Sequence, residues 1–392
     1  MDKIIDLERH RTAEGRADVA IIGGGIIGLS IGWKLLQAGK SVAIFERDTI
    51  GSGATRAASG MLAANVEVEP AEDDLVPLTL ASQELWHGFA RELEAESGLT
   101  VDYRDHGTMI VALSRDEVDR LRFRQDLLTR LGLTSEWLSG SVAREREPAL
   151  RPSVSGAIFC KQDHQVDARR VAAALAAVFR KAGGQIFENT PVTSLERSSG
   201  RVSGVVTEAG VFSAQTVVLA AGAWSPQLVP GFELPVRPLK GQSLAVRMDK
   251  RDPALTHIVW TEQIHMAPKG DGRLIIGASV EERGFDAANT AGGIFALLEA
   301  ARRVLPSIEE LAIDEIWTGF RPTSLDDAPI FGEIGVDGLI VATGHHRNGI
   351  LLAPVTARAI SDLILKGRMD GPETSFTLQR FRKNSDRMTH GL

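Results

Sequence analysis

Residues 18–46, DVAIIGGGIIGLSIGWKLLQAGKSVAIFE, decide the fold of this 392-residue chain. The apolar run at 18–22 is typical of a buried parallel strand. Glycines follow at G-x-G-x-x-G spacing, and a helical pattern then runs to a stop at Gly39. A second apolar strand closes on Glu46. This order predicts a βαβ unit.

The glycines Gly23, Gly25 and Gly28 have separate physical roles in such a unit. The first permits a tight turn, the second lets the backbone approach a pyrophosphate, and the third allows close packing of helix on strand. The helix N-terminus offers free N–H groups to the phosphates. Glu46 follows at about 20 residues, where a carboxylate accepts the ribose hydroxyls and disfavours a 2′-phosphate. The stretch predicts a dinucleotide site that does not take NADP; the alternative is a glycine-rich turn without a ligand.

The composition is that of an ordinary globular protein, with 43% hydrophobic and 24% charged residues. A net charge of −7 and a pI near 5.8 argue against nucleic acid and anionic membranes as partners. The single cysteine excludes an intrachain disulfide and a cysteine-based zinc cluster. Residues 1–17 lack the apolar core of a secretory signal, and no apolar run reaches the roughly 20 residues that span a bilayer. We therefore expect a cytoplasmic protein without a transmembrane segment.

Two later stretches fit a flat ligand. Residues 48–62 (DTIGSGATRAASGML) are mostly small, which suits a loop that closely approaches a ligand, although a plain flexible loop is the alternative. Residues 216–224 (TVVLAAGAW) predict a buried strand that ends in Ala221 and Gly222, where open α/β sheets bind ligands.

The remaining patterns alternate between helices and short strands, and the region 235–280 is especially rich in strands. We therefore predict an α/β fold: a Rossmann-like dinucleotide-binding domain with an inserted α+β substrate domain that contains a largely antiparallel sheet. The predicted bounds are a polar extension at 1–17, a nucleotide domain at 18–83, 146–228 and 315–370, a substrate domain at 84–145 and 229–314, and a polar tail at 371–392.

Five segments, in this order along the chain, resemble the D-amino-acid-oxidase-like FAD-dependent oxidoreductases: GGGIIGLS, AASGMLA, TVVLAAGAW, GFRPTSLDDAPIFG and GHHRNGILLAP. Within that family the chain is most similar to the bacterial glycine oxidases, which supply dehydroglycine for the thiazole of thiamine. The resemblance covers roughly residues 18–366. Its most family-specific parts are ASGML followed by Glu67 and Glu69, and the GHHRNGILLAP block.

The resemblance implies non-covalent FAD. It places the ADP half at the glycine motif and Glu46, the flavin ring against residues 57–61, and Gly222 close to the cofactor. It places the backbone of 344–351 near the flavin N1 and C2 carbonyl, where N–H groups stabilise the reduced anion. The expected cofactor-binding residues are Gly23, Gly25, Ile26, Ile27, Gly28, Glu46, Arg47, Ala57, Ala58, Ser59, Gly60, Met61, Val192, Ala221, Gly222, Trp224, Gly344, His346, Arg347, Asn348, Gly349, Ile350 and Leu351.

Amino-acid oxidation by hydride transfer requires a fixed carboxylate and a neutral amine, so no catalytic side-chain base is expected. Arg321 is the candidate for the carboxylate because a guanidinium matches it bidentately; the alternative is a structural ion pair with Asp326 or Asp327. Arg347 matches a second arginine of the family near the substrate, with phosphate or backbone support as its alternative.

His265 occupies the strand position where glycine oxidases carry a tyrosine that binds the carboxylate. An imidazole donates a hydrogen bond and, if protonated, adds a charge. Because histidine is shorter, we expect a larger pocket and a bulkier substrate; the alternative is a strand histidine that faces solvent.

No metal site is expected. Adjacent residues such as His345 and His346 rarely ligate one ion together, and no carboxylate cluster accompanies them. We assign Cys160 a structural role, because the cysteines that attach flavin in related amine oxidases lie in a different motif.

The resemblance leaves three functions open. The first is an oxidase of glycine, small amines or D-amino acids that yields imine and hydrogen peroxide, with O2 as acceptor. The second is a dehydrogenase or complex subunit that passes electrons to a quinone or a partner protein. The third, a non-enzymatic or RNA-modifying flavoprotein, is disfavoured by the acidic charge and by Arg321. We also expect a homo-oligomer, with the number of subunits open.

Overall fold

The computed structural model describes residues 15–381, in which two eight-stranded sheets and one two-stranded sheet are connected by helices. The strands are β1 (Gly15–Ile22), β2 (Val42–Phe45), β3 (Met61–Leu62), β4 (Thr108–Ala112), β5 (Glu136–Ser139), β6 (Gly156–Cys160), β7 (His164–Gln165), β8 (Gln185–Phe187), β9 (Val192–Ser198), β10 (Arg201–Thr207), β11 (Gly210–Leu219), β12 (Val236–Arg247), β13 (Ile258–Trp260), β14 (His265–Pro268), β15 (Arg273–Gly277), β16 (Ile313–Ser324), β17 (Ile330–Glu333) and β18 (Leu339–Thr343). The α-helices are α1 (Ile26–Gln37), α2 (Ala54–Ala57), α3 (Val76–Ser97), α4 (Arg115–Arg130), α5 (Gly140–Arg146), α6 (Ala168–Lys181), α7 (Ala291–Val304) and α8 (Ala353–Lys366).

The first sheet has the order β17-β18-β11-β1-β2-β8, with β10 and β9 continuing from β11. β1 pairs in parallel with both β2 and β11, so the opening strand lies at the centre of the sheet. Its residues Val19, Ala20 and Ile21 are buried, because helices α1, α3, α6 and α8 form one core with one face and a second apolar cluster covers the other. Strands covered on both faces are continuously apolar.

The second sheet has the order β16-β12-β15-β14-β13-β4-β6-β5. All its pairings are antiparallel except that of β13 with β4, which is parallel. α5 and α7 contribute side chains to the apolar core on one face of this sheet. The α/β class with a largely antiparallel second sheet is therefore confirmed.

The two sheets meet at the loop of small residues. Trp317 on β16 donates its indole Nε1–H to the Ala57 carbonyl at 3.1 Å. Gly319 lies so close to that turn that an added Cβ would lie 2.3 Å from the Ala57 Cβ. The loop predicted at 48–62 therefore contains secondary structure, α2 and β3, which pack against the second sheet and β7.

The predicted domain bounds differ from the sheet membership in two places. β6 lies within the segment assigned to the nucleotide domain, yet it pairs with β4 and β5 in the second sheet. α3 lies largely within the segment assigned to the substrate domain, yet it packs with α1, α6 and α8 on the first sheet. The division into two domains stays a proposal.

The predicted termini also differ from the structure. β1 begins at Gly15, so the polar extension predicted at 1–17 is wrong for its last three residues, and residues 1–14 lie outside the described part. The polar tail predicted at 371–392 is wrong for 371–381, because Phe376 and Leu378 are buried in the core. Residues 382–392 lie outside the described part.

Candidate active site

A cavity of about 740 Å³ lies between the two sheets and extends from the glycine turn after β1 to the inner surfaces of β12, β14 and β16. One end is lined by backbone and small side chains, and the other by Arg321, His265 and Trp260. This volume is in the range of ligand sites in proteins.

The glycine turn forms the first end of the cavity. Gly23 has φ +108°, and an added Cβ would lie 2.4 Å from the Ala220 carbonyl oxygen, so only glycine is accommodated there. The N-cap residue of α1, Gly25, has no side chain to cap the helix. Among residues 15–381, the Thr55 hydroxyl caps the Ile26 N–H at 3.0 Å, and the N–H groups of Ile27 and Gly28 have no acceptor. The first N–H groups of a helix have no intrahelical acceptor. This helix end therefore offers donors to an anion in the cavity.

Gly28 does not line the cavity and works by packing. An added Cβ would lie 2.1 Å from the Gly23 carbonyl oxygen, so glycine permits α1 to lie directly on the turn. Glu46 lines the cavity, and its Oε2 accepts the Gly24 N–H at 2.7 Å. Its Oε1 accepts the Asp48 N–H at 3.0 Å, so the carboxylate keeps further lone pairs for a ribose hydroxyl.

The opposite wall of this end comes from residues after β2 and β11. The Arg47 guanidinium lies 3.7 Å from the ring centroid of Trp224, a cation–π contact, and both residues line the cavity. Gly222 has φ +54° and would direct a Cβ into space with no protein atom within 4 Å. The backbone of 221–222 is therefore open to a flat ligand.

The loop after α2 brings Ser59 to β14. Its hydroxyl is 2.5 Å from His265 Nε2, and both side chains are buried. Burial, together with the cations Arg321 and Lys269, lowers the pKa of His265 to about 3. His265 is therefore neutral at physiological pH, so the charge considered above is not present, and the solvent-facing alternative is wrong.

Arg321 reaches the cavity from β16. Its guanidinium lies over Gly241 of the paired strand β12, where an added Cβ would lie 2.6 Å from Nη1. Nη1 donates to the Ser279 carbonyl at 3.1 Å. Within residues 15–381 Arg321 forms no salt bridge, whereas Asp326 pairs with Arg380, so the alternative of a structural pair with Asp326 or Asp327 is wrong. Burial lowers the pKa of Arg321, and Glu67 acts against that shift.

Arg347 is tied to the segment that follows β3. Its Nη2 donates to the Glu67 carbonyl oxygen at 2.9 Å and to Glu72 Oε2 at 2.5 Å. Its Nε is 3.4 Å from Glu67 Oε2. The side chain borders the cavity, so it combines backbone support with a position near the substrate end.

Residues 344–351 connect β18 to α8. The amides of Asn348 and Leu352 are used by carbonyls within the loop, whereas those of Gly349 and Ile350 make no hydrogen bond to the described part of the protein. Gly349 and Ile350 line the cavity. The Leu351 carbonyl accepts from α3 instead, from the Ser82 hydroxyl at 2.6 Å and the Trp86 indole at 2.8 Å.

The structure brings most of the predicted site residues together. Arg321, Arg347 and His265 all line the cavity, and the cofactor set does so except for four residues. The four that do not line it are Gly28, Gly344, Asn348 and Leu351.

Several cavity residues were not predicted. Thr55 caps the Ile26 amide, and Gly241 leaves room for Arg321. Trp260 lines the cavity with its ring centroid 5.2 Å from that of His265, and its buried indole N–H has no acceptor in the part of the chain that the structure describes. Glu67 is buried against the two arginines. A signal existed only for Glu67, which follows the ASGML segment; the roles of the others depend on contacts between residues that are distant in sequence.

The residues present fit FAD. A helix N-terminus with free N–H groups and a carboxylate with free lone pairs suit the ADP half, and the open backbone at Gly222 leaves room for a ring. The unused amides of Gly349 and Ile350 suit the polar edge of a flavin. Cys160 is buried outside the cavity lining, and burial raises the pKa of its thiol.

Within residues 15–381, no cluster of three or more histidine, cysteine, aspartate or glutamate side chains has an arrangement suited to a metal ion. His345 and His346 point to different partners, since the first contacts Thr356 Oγ1 and the second Thr323 Oγ1. The helices in the same part of the chain are too short or too polar to cross a membrane.

A family model described as DAO, FAD dependent oxidoreductase, matches residues 18–363. Glycine oxidase from Geobacillus kaustophilus is 38% identical over 372 residues, covering 93% of this chain and 96% of that protein. The crystal structure of glycine oxidase from that organism superposes with a TM-score of 0.87 at 37% identity, covering 93% of this chain and 98% of the other.

Two further relatives carry other names. The bifunctional protein ThiO/ThiG of Trichormus variabilis is 36% identical, and the match covers 94% of this chain but 56% of that protein. The hydrogen cyanide synthase subunit HcnC of Pseudomonas aeruginosa is 30% identical, with 93% and 96% covered.

Proposed function

The chain belongs to the DAO family of FAD-dependent oxidoreductases, and from this premise we propose that it deaminates glycine or a related small amino acid or amine oxidatively. The cofactor is FAD and the reaction class is amine oxidation. The substrate, the hydride mechanism and the peroxide product belong to the proposal.

The observation that carries the proposal is Arg321. It is a cation in the cavity whose partners among residues 15–381 are carbonyl oxygens, so its remaining N–H groups are available to a carboxylate. A guanidinium binds a carboxylate through two parallel hydrogen bonds, which fixes orientation as well as position. A ligand so held presents its α-carbon and nitrogen in one direction.

The other side chains shape the space around that ligand. His265, neutral and hydrogen-bonded to Ser59, borders the substrate end without adding a charge. Trp260 covers the imidazole and keeps an indole N–H available. Arg347 is oriented by Glu72 and adds a second cation at the edge of the site. We assign these three residues, together with Arg321, to substrate binding.

FAD supplies the acceptor for the hydrogen and two electrons that leave the α-carbon. The carboxylate contact holds the α-carbon in place. The entropy cost of bringing the reacting atoms together is therefore met on binding and not during the reaction step. No side chain needs to remove the α-proton when the hydrogen leaves as hydride. The imine is then released and hydrolyses, and O2 is the proposed final acceptor.

The test is a substrate panel of glycine, sarcosine, D-alanine, D-proline and bulkier amines with the purified holoprotein. Flavin bleaching without oxygen reports reduction whatever the later acceptor. Bleaching by at least one small amino acid, followed by peroxide formation when air is admitted, is the expected result. Absence of bleaching with every member contradicts the proposed function.

A second candidate is a dehydrogenase of the same substrates that passes electrons to a quinone or a partner protein. The observation that favours it is the likeness to HcnC, which is named as a subunit. Fast bleaching combined with slow reoxidation by air, and turnover only with an artificial acceptor, supports this candidate over the oxidase.

The product of glycine oxidation also suggests a place in metabolism. We assign it to the formation of the thiamine thiazole, as the sequence resemblance implies. The likeness to ThiO/ThiG supports this assignment, with the chain spanning about half of that protein.

A further inference from the structure

Glu67 is a buried carboxylate in the wall of the cavity. The residue is 8% exposed, and its Oε2 accepts no hydrogen bond from the described part of the protein. A buried carboxylate oxygen without a donor is costly unless something else supplies the donor. The site therefore contains an acceptor that the protein itself leaves unused.

The backbone around Glu67 is held rigidly. Asp163 accepts the Asn65 N–H at 3.0 Å on Oδ1 and the Val66 N–H at 2.7 Å on Oδ2. The Arg124 guanidinium donates to the Val66 carbonyl oxygen at 2.5 Å. The Glu67 carbonyl oxygen itself accepts from Arg347. These contacts fix the position from which the Glu67 side chain extends into the cavity wall.

A purely structural role would make Glu67 the ion partner of Arg347. The Nε–Oε2 distance of 3.4 Å is within ion-pair range but lacks hydrogen-bond geometry, since Oε2 has no bonded donor. Arg347 already has Glu72 Oε2 and a carbonyl oxygen as hydrogen-bond acceptors. Both of these hydrogen bonds are donated by Nη2, so the contact between Nε and Glu67 is an ion pair without a hydrogen bond. Glu67 Oε2 can therefore still accept a hydrogen bond from another donor.

We propose that Glu67 binds the ammonium group of the substrate, so that the site selects α-amino carboxylates over simple carboxylates. This inference rests on the proposed function, in which Arg321 holds the substrate carboxylate. A zwitterion placed between Arg321 and Glu67 meets an opposite charge at each end. Each contact is a charge-assisted hydrogen bond, the stronger kind.

The same carboxylate can take the proton that must leave before hydride transfer. One N–H bond of the ammonium breaks, one O–H bond forms on Glu67 Oε2, and the nitrogen keeps the electron pair. Burial raises the pKa of Glu67 to about 7, with Asp163 and Glu72 acting in the same direction and Arg347 and Arg321 against it. Proton acceptors with a pKa near neutrality are the ones suited to this exchange.

The experiment measures binding of two unreactive ligands to the FAD-loaded enzyme by calorimetry. 2-Aminoisobutyrate has a carboxylate and an ammonium group but no hydrogen on its α-carbon, so it cannot be oxidised. Isobutyrate is the same molecule without the nitrogen. The variant is Glu67→Gln, and the matched control is Glu69→Gln, a half-exposed carboxylate two residues away that pairs with Arg124.

We expect the wild type to bind 2-aminoisobutyrate at least about tenfold more tightly than isobutyrate, the equivalent of one charge-assisted hydrogen bond. Glu67→Gln removes this preference and leaves isobutyrate binding equal or tighter, whereas Glu69→Gln keeps it. In the wild type the preference falls as the pH drops from 8 to 6, because Glu67 becomes protonated. A thermal melt of each variant confirms that it is folded.

A Glu67→Gln enzyme that keeps the wild-type preference overturns the assignment of Glu67. So does a wild type that bleaches with amino acids yet binds both ligands equally, and in that case the proposed function stands. A wild type that bleaches with no amino acid contradicts the proposed function instead, and the Glu67 assignment falls with it.

Discussion

At the residue scale, the protein fixes the position of the charged Arg321 side chain without any bound substrate. Arg321 is supported by carbonyl oxygens and by the missing side chain at Gly241, and not by an acid. The arrangement leaves a guanidinium whose charge is uncompensated by direct contact. The planar guanidinium can bind a carboxylate through two parallel hydrogen bonds, which a lysine ammonium group cannot do. An arginine at this position therefore fixes the orientation of the carboxylate.

Replacing Arg321 with lysine keeps the charge but removes the planar pair of donors. We expect kcat/KM for the best amino-acid substrate to fall by about 10- to 100-fold, the equivalent of one charge-assisted hydrogen bond. Steady-state kinetics over the full substrate range measures it. Arg247→Lys is the control, because Arg247 is a half-exposed arginine that pairs with Asp314. Equal loss in both variants argues against a carboxylate contact at Arg321.

His265 lines the substrate end of the cavity. The imidazole Nε2 lies 3.0 Å from where a Cβ on Gly277 would be, so the backbone of β15 closes one side and a longer side chain must extend into the cavity. We expect His265→Tyr to raise the ratio of kcat/KM for glycine over a bulkier amino acid. Parallel kinetics with glycine and the largest accepted substrate of the panel measure that ratio. An unchanged ratio shows that His265 does not limit substrate size.

At the element scale, the opening βαβ unit is a packing device as well as a ligand site. α1 packs so closely against the glycine turn that there is no room for a side chain at position 28. α3 shows the opposite case, since Gly88 is an exposed helical glycine whose Cβ would meet no atom within 4 Å. Gly28 and Gly88 both lie within helices, but Gly28 is tightly packed whereas Gly88 is exposed.

This contrast predicts opposite effects of the same substitution. Gly28→Ala forces α1 away from β1, and we expect a loss of about 1–3 kcal/mol in unfolding free energy with weaker FAD binding. Gly88→Ala is expected to stabilise the fold by about 0.5–1 kcal/mol and to leave FAD affinity unchanged. Urea unfolding and FAD titration of the apoprotein measure both. Similar effects of the two substitutions contradict the close-packing explanation.

The helices and the central strands could be predicted from local patterns. Ser114 caps α4 by accepting the Glu117 N–H, and α6 begins after Asp167, which accepts two amide N–H groups. Serine and aspartate are preferred at this position of a helix, so both caps are local signals. Very short elements and contacts between residues that are distant in sequence could not be predicted in this way. α2 and β3 are too short for periodicity, and the pairing of β6 with β4 depends on residues about 50 positions apart. The same limit hid Trp260 from sequence analysis.

At the scale of the whole molecule, the cavity introduces buried titratable groups whose effects on stability oppose one another. Burial lowers the pKa of both His265 and His345 to about 3, so both are neutral in the folded protein. The unfolded chain binds protons at these positions below about pH 6.5, and the folded chain does not. Their contribution to stability is therefore complete above pH 6.5 and declines as the pH falls.

Glu67 acts in the opposite sense. Its pKa is raised to about 7 in the folded state, so between about pH 4.5 and 7 the folded protein binds more protons than the unfolded chain. Lowering the pH through that window stabilises the fold at this residue. In the wild type, the effects of His265 and His345 on the pH dependence of the unfolding free energy are therefore partly cancelled by that of Glu67.

Removing one group at a time separates these contributions. His345→Gln keeps a polar side chain near Thr356 but cannot be protonated, and we expect it to lose less stability than the wild type between pH 7.5 and 5.5, by about 1 kcal/mol. Glu67→Gln is expected to lose more stability than the wild type over the same range, because the opposing contribution is absent. Urea unfolding at several pH values, with FAD held at one concentration, measures both slopes.

The exposed His106 supplies the control, as His106→Gln is expected to follow the wild-type profile closely. If His345→Gln and His106→Gln shift the profile equally, burial of the imidazole is not the cause. If Glu67→Gln leaves the profile unchanged instead of steepening it, the carboxylate is ionised in the folded protein throughout this range. The shared cavity of the two sheets thus predicts a specific order of acid sensitivity: Glu67→Gln first, then the wild type, then His345→Gln.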